Sequence, residues 1–259
     1  MDLTGTTCLV TGANRGIGAA VAAELAQRPL AALLLGARDP DRVELPSGAA
    51  KEIRAVRIDL SDRETIDACA AELPPIDVLV NNAGRMTGGL LEDQDMEDVY
   101  AMFQVNLVAV AHLTSRVLPG MVERGRGMIV NNTSLSGYAW FPAATTYAAS
   151  KAGVVALSES LRRELRDTGV GVLHLVTPGV DTDMLDATES VYGRHMDTSG
   201  WDKVSPQEWA ADVVAAIEAD KRILRPGGKT GAAIRAAALP ASVLDAVTAR
   251  MFTRRPRRD

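Results

Sequence analysis

The chain has 259 residues, 47% of them hydrophobic and 24% charged, which is long and apolar enough for one large domain with a well-buried core. Its formal net charge of -5 excludes a general nucleic-acid binder, whose affinity rests on clustered Lys and Arg neutralising phosphates. The exception is a tail holding Arg250, Arg254, Arg255, Arg257 and Arg258, read as a solvated, frayed terminus, with an anionic partner or membrane surface as the competing reading.

The first predicted element is an apolar strand, Thr6 to Thr11, and its Cys8 is expected to be a buried thiol. A glycine turn follows, Thr11-Gly12-Ala13-Asn14-Arg15-Gly16-Ile17-Gly18, and opens a helical pattern from Ile17 to Gln27. Gly12 permits the tight turn, Gly16 lets backbone approach a pyrophosphate, and Gly18 allows close helix packing, while the helix N-terminus supplies N–H groups and positive dipole. The second strand, Ala31 to Gly36, ends in Ala37-Arg38. At such a strand end a carboxylate grips a free ribose 2′-hydroxyl and an arginine grips a 2′-phosphate. Arg38, with Arg15 as a second cationic arm, therefore points to NADP(H); pairing of Arg38 with Asp39 or Asp41 is the competing reading.

The third strand, Ile53 to Ile58, leads to Asp59-Leu60, placed to receive an adenine amino group and flank its ring. Asp59 alternatively caps the helix Glu64 to Ala71, in which Cys69 is a second expected core thiol. Neither cysteine has metal or CxxC spacing, which suits a reducing cytosol. The fourth strand, Asp77 to Val80, runs into Asn81-Asn82-Ala83-Gly84, a turn signal whose small residues also let backbone approach a ligand. A long helical pattern, Met96 to Leu118, contains Asn106. The fifth strand, Met128 to Asn131, puts Ser134 beyond its carboxyl end, where open α/β sheets place their ligands.

The next helix, Tyr147 to Arg166, carries Tyr147 and Lys151 one turn apart on one face. A Tyr-x-x-x-Lys pair is common on solvated helices, but a fixed ammonium beside a phenol also favours the phenolate of a group whose free pKa is about 10. After a sixth strand, Val170 to Val176, and Pro178-Gly179, the stretch from Asp183 to Val204 has little periodicity and contains Met184, Leu185, Tyr192, His195, Met196 and Trp201. Such a segment reads as a lid loop. A helix from Pro206 to Ala219 starts after the capping Ser205, and a short seventh strand, Arg222 to Leu224, precedes a helical stretch from Ala232 to Met251 broken at Pro240. The βαβα alternation predicts a doubly wound α/β fold with a mainly parallel sheet of about seven strands, as one domain over residues 1–259. No basic and apolar leader opens the chain and no uninterrupted apolar stretch reaches membrane-spanning length, so a cytoplasmic protein is expected.

In order and spacing, TGxxxGxG at Thr11 to Gly18, NNAG at Asn81 to Gly84, Asn106, Ser134, YxxxK at Tyr147 to Lys151 and Pro178-Gly179 resemble the short-chain dehydrogenase/reductase family, from about Thr4 to Ala219. The resemblance implies a Rossmann-type domain, an oxidoreductase acting on a small-molecule carbonyl or alcohol, and a homo-oligomer, dimer or tetramer. It implies that Tyr147 is the acid/base, that Ser134 polarises the reacting oxygen, that Lys151 holds the nicotinamide ribose and lowers the pKa of Tyr147, and that Asn106 holds a water linking Lys151 to solvent. The cofactor cradle would be Gly12, Asn14, Arg15, Gly16, Ile17, Gly18, Arg38, Asp59, Leu60, Asn81, Ala83, Gly84, Tyr147, Lys151, Pro178, Gly179, Val180 and Thr182, with no metal.

Two departures stand out. Thr182 comes one residue earlier after Pro178 than in many members, which makes the Val180 main chain the safer carboxamide contact. The end of the chain, about 221–259, is atypical, which alters the expected tetramer contact. Leu135, Tyr138, Trp140, Phe141, Met184, Leu185, Tyr192 and Trp201 suggest an apolar substrate pocket without naming a substrate. A non-catalytic NADP-binding sensor or regulatory protein is the alternative; loss of Tyr147 or Lys151 would favour it, and both are kept.

Overall fold

The computed structural model describes residues 1–196, 203–228, 231 and 252–254. Near-continuous Val, Leu and Ile runs form strands buried on both faces: β1 (Thr7–Thr11), β2 (Ala32–Ala37), β3 (Ile53–Arg57), β4 (Val78–Asn81), β5 (Gly127–Asn132), β6 (Val170–Leu175) and β9 (Ile223–Leu224). They make one seven-stranded sheet in the order β3-β2-β1-β4-β5-β6-β9, parallel at every pairing. The expected doubly wound α/β fold is the observed one. Winding reverses between β1 and β4, and the crevice outside their carboxyl ends is where such sheets hold ligands.

Alternate strand residues feed two cores. Cys8, Val10, Leu33, Leu35, Val78 and Val80 face α1 (Gly16–Ala26) and α7 (Pro206–Glu218), meeting Val21, Leu25, Trp209, Val213 and Ile217. Leu9, Leu34, Leu79, Ile129 and Val172 face the other layer, where α2 (Arg63–Glu72), α4 (Ala109–Glu123) and α5 (Thr145–Glu164) contribute Ile66, Cys69, Leu113, Met121 and Leu161. Each fully buried Leu or Ile stabilises by about 1.5–3 kcal/mol relative to exposure. Both cysteines are free and buried, as the sequence reading expects.

Three elements differ from expectation. The run from Met96 is not one α-helix: α3 (Met96–Phe103) passes through a π-helical turn, Gln104–Val108, into α4. The combined run Met96–Glu123 is long and apolar enough to cross a membrane by length and composition, and here it is a layer helix whose Met102, Val105, Ala109, Leu113 and Met121 are buried. The stretch read as an aperiodic lid holds a helix, α6 (Asp183–Tyr192), and β8 (Lys203–Val204), which pairs in parallel with β7 (Gly179–Val180) as a separate small sheet. Asp183 and Asp186 in the first turn of α6 complement its dipole, and Leu185 and Tyr192 are its buried stripe; two apolar anchors a full two turns apart are too few to show as periodicity. Trp201 and the stretch from Ala232 to Met251 lie outside the described residues.

Candidate active site

The glycine turn joins β1 to α1 across the crevice. Gly12 has φ +64°, and a Cβ there would come within 2.9 Å of the Ala83 Cα. A Cβ at Gly18 would lie 2.1 Å from the Gly12 carbonyl oxygen and 2.5 Å from Asn82 Nδ2, so the loop folds back tightly on the turn after β4. The N-terminus of α1 has no side-chain cap and no acidic residue in its first turn, leaving its amides and dipole open to an anion.

A polar ladder crosses the carboxyl ends of four strands. Asn82 Nδ2 donates to the Thr11 carbonyl at 3.0 Å, Asn132 Nδ2 donates to Asn82 Oδ1 at 3.1 Å, and Thr177 Oγ1 donates to Asn132 Oδ1 at 2.5 Å. The Asn132 carbonyl then accepts from Lys151 Nζ at 2.8 Å. Sequence reasoning named neither Asn132 nor Thr177 and gave Asn82 only as part of a motif; the signal available was a polar residue directly after each of three apolar strands. A second layer lies beneath, where Asn81 Nδ2 donates to Thr114 Oγ1 at 3.1 Å and to Asn131 Oδ1 at 2.9 Å, and Asn131 donates to Ser158 Oγ at 2.9 Å. The Asn81 side chain is thus turned into the protein, leaving its main chain at the strand end.

Tyr147 and Lys151 stand one turn apart on α5, with the ammonium nitrogen 5.9 Å from the phenol ring centroid. Ser134, beyond β5, interacts with Tyr147 through its hydroxyl and begins a short 3-10 turn, accepting from the Ser136 N–H at 3.1 Å. Tyr147 is half-buried. Burial pushes its phenol up to about 12, with Ser134 acting in the lowering direction, and burial brings Lys151 down to about 8. Desolvation dominates at the phenol, and the Lys151 ammonium donates its hydrogen bond to the Asn132 carbonyl. A Cβ on Gly84 would sit 3.3 Å from Asn106 Oδ1 and 3.7 Å from Lys151 Nζ, so the backbone there passes close to both.

Asn106 lies in the π-helical turn and is buried. Its Oδ1 accepts from the Arg85 N–H at 2.8 Å and its Nδ2 donates to the Arg85 carbonyl at 2.8 Å and to Ser150 Oγ at 3.2 Å. The Asn106 side chain thus braces the main chain of Arg85, just after Gly84, and the Ser150 hydroxyl of α5.

On the adenosine side, Asp39 pairs with Arg42 at 2.9 Å, and Arg38 is exposed and in no ion pair among the described residues. The cap of α2 is Asp62, accepting from the Glu64 N–H, which removes capping as the role of Asp59. Asp59 instead accepts from the Ser61 N–H at 2.9 Å and hydroxyl at 2.6 Å; burial acts to raise its carboxyl, but Ser61 and the charges of Arg38 and Arg57 hold it below the usual range. Leu60 is buried, and its carbonyl accepts from Gln104 Nε2 at 3.3 Å. Arg15 reaches across the glycine loop to Asp183 at 3.5 Å. Thr182 donates to the Val180 carbonyl at 3.1 Å, and its Cγ2 would lie 3.3 Å from a Cβ on Gly16. Thr182 therefore lies over the glycine loop. Among the described residues no cluster of His, Cys, Asp or Glu is placed to hold a metal ion.

Residues 6–192 match the family model for short chain dehydrogenases. The chain belongs to that family. Ketoacyl reductase HetN of Nostoc sp. is 35% identical over 185 residues, which span 68% of this chain and only 64% of the relative. The FabG 3-oxoacyl-(acyl-carrier-protein) reductase of Haemophilus influenzae is 33% identical over 187 residues, covering 70% of this chain and 77% of the relative. A short chain dehydrogenase from Burkholderia cenocepacia, solved in complex with NADP, superposes with a TM-score of 0.82 at 26% identity, over 96% of this chain and 99% of the other.

In this short chain dehydrogenase the apolar residues expected around the substrate divide. Trp140 is 69% exposed and Met184 is 40% exposed, and Tyr138 turns its hydroxyl to His174 at 2.5 Å. Phe141 and Tyr192, by contrast, pack together with Ala143, Ala144, Met86, Met196 and Phe252 beside the start of α5.

Proposed function

We propose that the chain is an NADP(H)-dependent oxidoreductase that moves a hydride between nicotinamide and the carbonyl or secondary alcohol of an apolar small molecule. The observation that carries this reading is the group at the mouth of β5: the Tyr147 phenol beside the Ser134 hydroxyl, with Lys151 one turn on and held by the Asn132 carbonyl at 2.8 Å. Cofactor binding is supported by the bare glycine loop, whose spaces a Cβ would fill, and by the uncapped N-terminus of α1. The choice of the phosphorylated form rests on Arg38, exposed and free of ion pairs among the described residues, with Arg15 nearby on the loop. It is supported by relatives of similar fold solved with NADP and with NADPH, the latter from Sphingobium yanoikuyae at 26% identity and a TM-score of 0.73.

Nicotinamide, when bound, supplies or accepts the hydride. Tyr147, held protonated by burial, donates its proton to the oxygen of a carbonyl undergoing reduction. Ser134 donates to the same oxygen and stabilises the charge that develops on it. Lys151, fixed against Asn132, presents its remaining donors to a ribose and its charge to the phenolate left behind. The Asn106 amide braces the main chain of Arg85 beside that space. We also place the protein in the cytoplasm, as a homo-oligomer and as one domain, readings supported by its free buried thiols and by the family resemblance.

Turnover of aldehydes, cyclic ketones and 3-oxoacyl thioesters, followed as NADPH absorbance, tests the reading. Tyr147→Phe is expected to lower kcat by at least about 10²-fold with the NADPH Kd nearly unchanged. A variant within a few fold of the unmodified protein, or no turnover of any carbonyl by the unmodified protein, refutes it.

A further inference from the structure

The turn that follows Ser134 is tied to the neighbouring strand at both of its ends. At its start the Leu135 N–H donates to the Thr177 carbonyl at 3.1 Å. At its end the Tyr138 hydroxyl lies 2.5 Å from Nε2 of His174, a buried residue of β6. Between these anchors the bonds stay inside the turn: the Gly137 N–H donates to the Ser134 carbonyl at 3.0 Å, and the Tyr138 N–H donates to the Leu135 carbonyl at 2.9 Å. Gly137 lies flush on α5, where a Cβ would come within 3.1 Å of the Lys151 carbonyl oxygen. The turn therefore rests on the helix that bears Tyr147 and Lys151, and because its internal bonds make it one unit, a shift of its far end moves Ser134 against them.

What faces the other ring nitrogen sets the direction of the Tyr138–His174 bond. Glu159 Oε1 lies 3.8 Å from His174 Nδ1, and Arg162 at 2.9 Å and Arg163 at 3.3 Å keep that carboxylate charged. A carboxylate beside a neutral imidazole favours the tautomer with its hydrogen on the facing nitrogen. Nδ1 then carries the hydrogen, and Nε2 is left to accept the Tyr138 O–H. Burial keeps the ring neutral, and so an acceptor, at neutral pH. Glu159 sits on α5 about two turns beyond Lys151, so the contacts start and end on one helix: Glu159 faces His174, His174 holds Tyr138, and the turn brings Ser134 to Tyr147. An apolar pair would fill the same space, whereas a hydrogen bond also fixes a direction.

We infer that His174, by accepting the Tyr138 hydroxyl, is a positioning residue that sets the Ser134 hydroxyl against the reacting oxygen. This rests on the carbonyl oxidoreductase reading and deepens it. His174 acts through Tyr138 and the turn, and Ser134 remains the group that meets the oxygen. A donor aimed in advance stabilises developing charge without having to reorient during the reaction.

Steady-state kinetics on the full chain, with NADPH and the carbonyl compound it reduces fastest, test the role. Tyr138→Phe and His174→Leu are expected to lower kcat about tenfold, the order that loss of one directed hydrogen bond transmits, while the NADPH Kd stays within about twofold and reports folding. His174→Gln, whose amide oxygen can accept the same hydroxyl, is expected to keep kcat within about threefold of the unmodified protein. In a Ser134→Ala background Tyr138→Phe is expected to change kcat by less than about twofold, because the group it positions is gone. A tenfold loss in both backgrounds, or an unchanged kcat in Tyr138→Phe alone, overturns the positioning role. Should Tyr138→Phe lose NADPH affinity, His174→Gln against His174→Leu decides, and equal rates in the two overturn it. Amide hydrogen exchange needs no turnover and separates this inference from the reading beneath it. The Ser136 N–H, bonded to Ser134 Oγ at 3.1 Å, is expected to exchange at least about fivefold faster in Tyr138→Phe. Faster exchange in a protein that reduces no carbonyl overturns the proposed reaction and upholds the grip of His174 on the turn, whereas unchanged exchange overturns that grip.

Discussion

His174 shows how one side chain can record its surroundings in a pH dependence. It is buried on β6, with Nε2 2.5 Å from the Tyr138 hydroxyl and Nδ1 3.8 Å from Glu159. Tyr138 closes the short turn that Ser134 opens, so this contact braces the turn after Ser134. Burial lowers the imidazole to about 4, with Glu159 opposing and Arg225 and Arg162 assisting. Between the ordinary value of 6.5 and about 4 the unfolded chain takes up a proton that the folded chain refuses. Stability is therefore lost as pH falls through that window, at up to about 1.4 kcal/mol per pH unit. Denaturant unfolding at pH 7 and pH 4.5 is expected to show a loss a few kcal/mol smaller in His174→Gln than in the unmodified protein. Equal losses would place the acid sensitivity elsewhere. Tyr147 and Lys151 were legible in sequence as neighbours because one helical turn separates them, and Ser134 because it follows an apolar strand. The roles of Asn132 and Thr177 were not, because each is defined by a partner on a neighbouring strand.

Among the helices, α7 illustrates how local sequence secures an element that supports the cleft from behind. Ser205 accepts from the Glu208 N–H at 3.1 Å while the Glu208 carboxylate accepts from the Ser205 N–H at 3.1 Å, a reciprocal capping box. Its buried Trp209, Val213 and Ile217 pack in the same core as Val21 and Leu25 of α1, the helix that presents the glycine loop. Ser205→Ala is expected to lower Tm by about 2–4 °C in a thermal melt, with the fold retained. An unchanged Tm would mean that water replaces the cap without loss. The capping Ser205 and the Pro206 beside it made this helix readable from sequence, whereas α6, with its two buried anchors, was not. The π-helical turn was equally hidden, since its residues continue the helical pattern on both sides and only the hydrogen bonds of Asn106 to Arg85 reveal why the register shifts.

Cofactor choice is a property of the assembled crevice, where Arg38 from the end of β2 and Arg15 from the glycine loop share one edge. A ligand that binds only the folded chain raises its stability by RT ln(1 + [L]/Kd), about 2.7 kcal/mol at 100 Kd. NADPH is therefore expected to raise Tm by more than NADH at equal concentration, and Arg38→Leu to narrow that gap by weakening NADPH alone. A larger shift with NADH in the unmodified protein would show that these arginines do not receive a phosphate. Asp183, which pairs with Arg15 at 3.5 Å, competes for that charge only weakly, because both side chains are solvent-exposed.

The apolar strands, the helices between them and the parallel order were determined by the sequence itself, since burial on both faces demands unbroken Val, Leu and Ile runs and short βα connections allow few topologies. The pairing of Tyr147 with Lys151 was equally plain, because they are neighbours on one helix whatever surrounds them. Only the tertiary structure decided how Lys151 is held, where the Asn81 and Asn106 side chains point, and that Arg38 escapes its acidic neighbours. Only it brought Phe252 to the side of Tyr192. Each of these depends on contacts between residues distant in the chain, and such contacts leave no periodicity, spacing or local propensity from which they could be read.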